Sequence, residues 1–298
     1  AGAAVVTVGN SVTASITFAG VEFTTSGAQT FTADAYSITG ADSTFGSSND
    51  NITFADGGAD GGITLADIAD LTITTELGGS GGGNIAVNVP IAGTSGDGDD
   101  ATDVTMTAGS GTITIEDIST DINDVLLTST GGISLDGSIT TAVDSDETGA
   151  TSGVVTLTGP VTLAGNTTID TDSTSNNGAV TFSSTVDGAK TLTITSGSGA
   201  VQFGGNIGAT TALSDVTVNS SAGTGAITFS GSVGTNTAAG AAVVAIGNAD
   251  TASITFAGVE FTSSGTQTFI ADAYSITGAD STFATSNDNI TSVSYTHL

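Results

Sequence analysis

Three pentapeptides in the second half of the chain share one pattern: Gly178-Ala-Val-Thr-Phe182, Gly199-Ala-Val-Gln-Phe203 and Gly225-Ala-Ile-Thr-Phe229. In each, two apolar residues flank one polar residue, the period of a strand with one buried face. The same alternation recurs at Ser15-Ile-Thr-Phe18, Leu71-Thr-Ile-Thr74, Thr112-Ile-Thr-Ile115, Val154-Val-Thr-Leu157, Leu192-Thr-Ile-Thr195 and Val216-Thr-Val218. Clusters of Gly, Ser, Asn and Asp between the runs supply turns. Thr185-Val186, Asn206-Ile207 and Ser232-Val233 follow the three pentapeptides at constant distance. Ser253-Ile-Thr-Phe256 extends the series, with Val259 expected in the later slot. Helical periodicity is nearly absent; residues 65–71 read equally as two helical turns or as a strand and a corner.

The spacing of these units decides the architecture. From Phe182 the series steps to Phe203, Phe229 and Phe256 at unequal intervals. Leu135 and Leu163 read as weaker members of the same series, giving a period of roughly 19–28 residues. A propeller blade needs about 40–45 residues. A solenoid tolerates a variable period, because corners absorb insertions while strands stay in register. Ordering a rung of roughly 20 residues costs about 20–40 kcal/mol of backbone entropy, and one rung alone leaves both strand edges open. Stacked rungs solve this, each strand bonding to the strands above and below at about 4.8 Å. The expected fold is therefore all-β, a parallel β-helix (β-solenoid) of about a dozen rungs, with Phe182, Phe203 and Phe229 in one internal ladder. Only two prolines, Pro90 and Pro160, occur, as expected where few ladder N–H groups can be spared.

A longer repeat contains the shorter one. Residues 3–54 return as 241–292 at a constant offset of 238, with 42 of 52 positions identical. A repeat this close implies an array. Residues 1–292 read as one continuous solenoid, with an acidic middle at 55–150 that is poor in aromatic residues. The offset reads as about ten rungs, placing the copies at opposite ends of a rod, roughly 50 Å apart. The last six residues, 293–298, depart from the repeat and resemble one reading frame of a sequencing adapter, so they are expected to be non-native; they hold the single histidine, His297.

Charge and composition restrict the chemistry. Thirty acidic residues face one basic residue, Lys190, for a net charge of −29. Nucleic acids and anionic membrane surfaces are poor partners for such a chain, and cations are natural ones. No stretch is long and apolar enough for membrane insertion as a helix. The absence of cysteine removes disulfides and thiolate chemistry. Spread over a dozen rungs of about 4.8 Å, the charge approaches the axial density of duplex DNA, so ionic screening should matter for stability.

The reiterated Gly-Ala-Val-Thr-Phe units, the Thr-Leu-Thr-Ile-Thr runs and the segments Gly27-Ala-Gln-Thr-Phe31 and Gly265-Thr-Gln-Thr-Phe269 resemble the filamentous haemagglutinin-like and autotransporter passenger repeats of bacterial exoproteins. The resemblance covers residues 1–291 and is strongest from 150 onward. It implies a right-handed parallel β-helix, secretion to the extracellular space or the outer-membrane cell surface, and an adhesive or matrix role with glycans or proteins of neighbouring or host cells as partners.

No catalytic residue is expected. Lys190 alone could assist lyase chemistry, and with 30 acids chance carboxylate pairs carry little information. The glycine-rich run 78–83 lacks the lysine of a phosphate loop. For metal, Asp97, Asp99, Asp100 and Asp103 put four carboxylates in one short segment, a composition suited to Ca²⁺; Asp144, Asp146 and Glu147, and Asp170 with Asp172, are weaker candidates. Glu22 and Glu260, each between Val and Phe, are expected to face solvent. The reading is a secreted or cell-surface structural or adhesive protein that requires no cofactor. Its alternatives are a Ca²⁺-dependent matrix or surface-layer component and a β-helical polysaccharide-degrading enzyme.

Overall fold

The computed structural model describes residues 4–40, 42–58, 61–67, 69–77, 79, 81–94, 102–119, 121–141, 153–173, 177–234, 241–286 and 288–294. Its strands form three parallel ladders wound as a β-solenoid, and the described residues include no helix. Face A starts with Val6–Gly9, Gln29–Ala33 and Ile52–Asp56; face B with Ile16–Ala19, Tyr36–Thr39 and Ile63–Leu65; face C with Glu22–Thr25, Ser43–Ser47 and Leu71–Thr74. Face B is 12 strands deep and face C 11. Up to Val186–Asp187 successive strands visit A, B and C in turn; above it face A is marked by the single bridging residues Ile207 and Val233 before Glu260–Ser263 restores a strand.

Rungs differ in length. Among the shortest is the turn from Ile16 to its partner Tyr36, and among the longest the turn from Leu71 to Val104. The long turns exceed the expected range because corners of the acidic middle carry the insertions, leaving strand pairing in register.

Alternation sorts the side chains as the sequence predicts. Val, Ile, Leu and Phe at alternate strand positions point inward and form one buried column per face position. Phe182, Phe203 and Phe229 are fully buried and stack nearly parallel, their centroids 5.2 and 5.0 Å apart, and Phe256 continues the stack at 6.1 Å. Each fully buried aromatic contributes about 1.5–3 kcal/mol of transfer free energy.

The glycine of the Gly-Ala-Val-Thr-Phe unit is explained by stacking at a corner. A methyl group on Gly199 would lie 2.0 Å from the Gly178 carbonyl oxygen, and one on Gly225 would lie 1.9 Å from that of Gly199. Rungs approach so closely here that only hydrogen fits. Beside this column the buried hydroxyls of Thr141, Thr171 and Ser196 donate to the carbonyls of Gly153, Gly178 and Gly199, each at 2.7 Å.

The two prolines obey a related rule. At several corners the residue before a strand accepts, through its side chain, the N–H of the residue one rung above: Asn84 N–H donates to Asn51 Oδ1 at 2.8 Å, and Thr112 N–H to Asn84 Oδ1 at 2.9 Å. Pro90 and Pro160 stand one rung above Gly62 and Gly132, where Ile63 and Ile133 donate to the proline carbonyls. A glycine below offers no side-chain acceptor, so a residue without an N–H loses nothing there.

Two sequence expectations change. Leu135 and Leu163 lie on face A, whereas the Phe182 column of face C continues through Leu157 and Leu127. Phe261, rather than Val259, stands opposite Val233; Val259 is buried in the preceding corner. The first error arises because every face carries the same apolar-polar-apolar pattern, so sequence spacing cannot say which face a run occupies. The second arises because the corner from Phe256 to Phe261 is one residue longer than that from Phe229 to Val233. Of the two readings open for residues 65–71 the structure has the strand and corner: Leu65 ends one strand, Ala69 N–H donates to the Ala66 carbonyl, and Leu71 starts the next strand.

The long repeat is placed differently from the sequence expectation. Val6 is linked up face A through Gln29, Ile52, Ile85, Ile113, Ile133, Val161, Val186 and Ile207 to Val233, nine turns above it. Val244, the repeat equivalent of Val6, lies one strand later on face B. The offset therefore spans nine and one-third turns, about 45 Å at ~4.8 Å per turn, close to the expected ten, and the extra third of a turn carries the second copy to the next face. The copies occupy separate levels without pairing, and the same sequence sits on a face rotated by one third of a turn.

Local contacts of the two copies match despite this rotation. The Tyr36 hydroxyl lies 2.9 Å from the Phe31 carbonyl and 2.6 Å from that of Ala55; Tyr274 repeats this with Phe269 at 2.8 Å and Val293 at 2.7 Å. Gln29 Nε2 donates to Phe23 and Gly46 carbonyls, and Gln267 Nε2 to those of Phe261 and Ala284. Val293 and Ser294 continue the final strand Ile290–Ser294, paired with Ile270 and Ala271. The rest of the proposed tail lies outside the described residues.

Candidate functional site

Asp97, Asp99 and Asp100 lie outside the described residues, as do Asp144, Asp146, Glu147 and His297. Asp103 is described, and its neighbours come from other rungs. One residue before successive strands of face C stand Asp42, Asp70, Asp103 and Asp124. Asp103 N–H donates to Asp70 Oδ1 at 2.8 Å, Asp124 N–H to Asp103 Oδ1 at 2.9 Å, and Val154 N–H to Asp124 Oδ1 at 2.7 Å. Asp70 N–H reaches Asp42 Oδ1 at 3.5 Å, and Asn123 Nδ2 donates to Asp103 Oδ1 at 3.1 Å.

This column is an acidic version of the Asn51–Asn84 ladder: each carboxylate satisfies an amide that the corner would otherwise strand. It also aligns like charges. Burial pushes the Asp70 carboxyl above its ordinary value, offset by the Asp103 N–H and reinforced by the charges of Asp103 and Asp42. Burial likewise raises Asp124, against the Val154 N–H and with the Asp103 charge. Among the described residues no group of three or more acidic side chains is placed to hold a metal ion. Sequence reasoning grouped Asp103 with its chain neighbours and missed the column; an Asp directly before each of four strand runs was visible in the sequence, but that the four runs share face C was not.

A second acidic feature opens beside the corner between faces A and B. Asp56, Gly61, Asn88, Val89, Pro90 and Glu116 line a recess of about 300 Å³. Pairing of Val87 with Ile115, and of Ile115 with Leu135, carries Asn88, Glu116 and Asp136 to one outward column on consecutive rungs. Burial raises the Glu116 carboxyl, helped by the charges of Asp136, Asp117 and Asp56. Asp56 and Glu116 thus place two carboxylates at the border of one recess.

Of the remaining sequence candidates, Asp170 ends a face B strand, and its Oδ1 accepts the Asp172 N–H at 3.0 Å just beyond it. Glu22 and Glu260 are exposed at strand starts, as expected. Within the glycine-rich run, Gly82 and Gly83 lie against the backbone of Ala108 and Asp50, so these two serve corner packing.

The distribution of charge over the faces differs from its distribution along the chain. Outward positions of face A include Glu116, Asp136 and Asp187, and those of face B include Asp170 and Asp215. On face C, above Glu22, one outward rank reads Thr44, Thr72, Thr105, Leu126, Thr156, Thr181, Gln202, Thr228, Thr255 and Ser275, paired one to one. A second rank beside it holds Thr24, Gly46, Thr74, Thr107, Thr128 and Thr158. Neither rank contains a charge above Glu22 or an aromatic ring. Compared with models of known protein families, with curated proteins and with solved structures, the chain matches none.

Proposed function

We propose that this chain is a section of a secreted or cell-surface structural and adhesive repeat protein, a stalk or passenger segment with no catalytic step assigned to it. The observation that supports this reading is the re-entry of the long repeat on a neighbouring face of the solenoid. A sequence that makes the same local hydrogen bonds on either face extends the body without a specific partner surface, which suits a spacer built for length. The long outward ranks then provide lateral contact area. Cations are its natural partners, and surface glycans or proteins of neighbouring cells its natural adhesive targets. Beads coated with the chain should adhere to glycan-bearing cells more strongly than beads coated with an unrelated protein of equal acidity; equal adhesion refutes the reading.

The Asp56–Glu116 recess favours one second reading, a β-helical enzyme acting on polysaccharides. Its test is release of reducing sugar from a panel of neutral and acidic polysaccharides between pH 4 and 7. Release lost in Glu116→Gln would support it, and no release above background would remove it.

A further inference from the structure

We infer that the outward threonine ranks of face C form a binding surface for crystalline water, a use that goes beyond the adhesive reading and does not depend on it. Four consecutive strands, Leu71–Thr74, Val104–Gly109, Val125–Ser129 and Val155–Thr158, present Thr72 and Thr74, Thr105 and Thr107, Leu126 and Thr128, and Thr156 and Thr158. One-to-one pairing holds these residues in two straight columns. Parallel strands fix the repeat at about 4.8 Å along the axis and roughly 6.6 Å between alternate residues on a strand. The result is a two-dimensional array of hydroxyls, each beside a methyl group, on the scale at which oxygens repeat at an ice surface.

The backbone holds this array rigidly. The interleaved residues Ile73, Met106, Leu127 and Leu157 are fully buried, and β-branched threonine has few rotamers. Hydroxyls fixed in this way order the waters bound to them. Immobilising a water costs up to about 2 kcal/mol, a cost already met when the partner is crystalline. Many weak contacts made together then add up to firm attachment.

Other partners fit the face less well. Cation and nucleic-acid binding require charge, which is absent from both ranks above Glu22. Protein interfaces are anchored by aromatic residues, Arg or Met, and none points outward in the two ranks. Sugar rings stack on aromatic side chains, also absent there. Threonine favours strands for its own sake, and faces A and B carry it too. What separates face C is that its two uncharged ranks run side by side, with threonine at seven of the eight positions from Thr72 and Thr74 to Thr156 and Thr158. The uncharged rank of face A from Thr7 to Thr162, by contrast, holds Ala86 and runs up beside Glu116 and Asp136, and Thr168, Thr193 and Thr217 of face B lie between Asp170 and Asp215.

The test uses the intact chain, fluorescently labelled, in a slowly growing ice hemisphere. The wild type should be incorporated, whereas Thr105→Tyr/Thr156→Tyr should lose at least tenfold of the incorporation while melting at an unchanged temperature. Thr193→Tyr on face B should behave as wild type. Leu126→Thr, which completes the array without disturbing the core, should raise incorporation, and this variant keeps the inference testable if the double substitution fails to fold. Exclusion of the wild type from ice would overturn the proposal. Equal loss in the face B variant, or retention on crystalline cellulose together with exclusion from ice, would also overturn it.

Discussion

Replacing Gly199 by alanine puts a methyl group 2.0 Å from the Gly178 carbonyl oxygen and 2.5 Å from its carbon. Side-chain carbons essentially never approach other atoms within 3.0 Å, so the rungs must separate here by about 1 Å. The backbone conformation of Gly199 is one that alanine adopts freely, and at an open site the change would stabilise by about 0.4–1 kcal/mol. Separation stretches the 2.9 Å bond from Val180 N–H to the Ala200 carbonyl to roughly 3.9 Å, past any useful geometry. It also strains the 2.7 Å bond from Ser196 Oγ to the Gly199 carbonyl. Buried polar groups left unpaired cost about 1–3 kcal/mol each, so a net loss of about 2–5 kcal/mol is expected. Urea unfolding, with hydrogen exchange of the Val180 and Val201 amides, measures it, because stacked rungs need not unfold as one unit. Gly40→Ala is the comparator: it has positive φ and open space, and should cost only about 1–2 kcal/mol of backbone strain. A Gly199→Ala variant whose stability stays within the small range typical of unconstrained surface substitutions, with unchanged amide protection, would refute the close-stacking argument.

Three further expectations concern charge and the core. The folded-state carboxyls of Asp70, Asp124 and Glu116 are raised mainly by burial, so between their unfolded and folded values the folded chain binds more protons. Stability should rise as pH falls from neutrality through the raised values toward about 4, and thermal melting at pH 5 below that at pH 8 would contradict it. Asp124→Asn keeps an Oδ1 acceptor for the Val154 N–H while removing a charge from the column; it should raise the melting temperature, and added NaCl or CaCl₂ should raise that of the wild type, whereas a flat response to both salts would refute the role of charge. Ser292→Phe restores the residue found at Phe54, which stacks on Phe31 at 4.9 Å. It should fill part of the apolar recess of about 280 Å³ bordered by Phe256, Phe269, Tyr274 and Ile290, adding roughly 1 kcal/mol in urea unfolding; no gain would show that the recess is not a packing defect.

The inside of this solenoid was legible in the sequence. Alternation within each run set which residues turn inward, and the Phe182–Phe203–Phe229 ladder followed from spacing alone. Mutual dependence of open-edged rungs set the parallel stack, and the outward aim of Glu22 followed from the same period of two. What the sequence left open was phase. Identical patterns on three faces, joined by corners so unequal that the turn from Leu71 to Val104 far outruns the turn from Ile16 to Tyr36, do not say whether Leu163 lies under Phe182 or beside it. Only the wound chain decides that, by adding corner lengths turn after turn. For the same reason only the tertiary structure could place the two long copies one third of a turn apart, stack Asp103 with Asp42, Asp70 and Asp124, and gather uncharged threonines on face C. Inward position is a local property of a strand, whereas sharing a face depends on every corner that comes before.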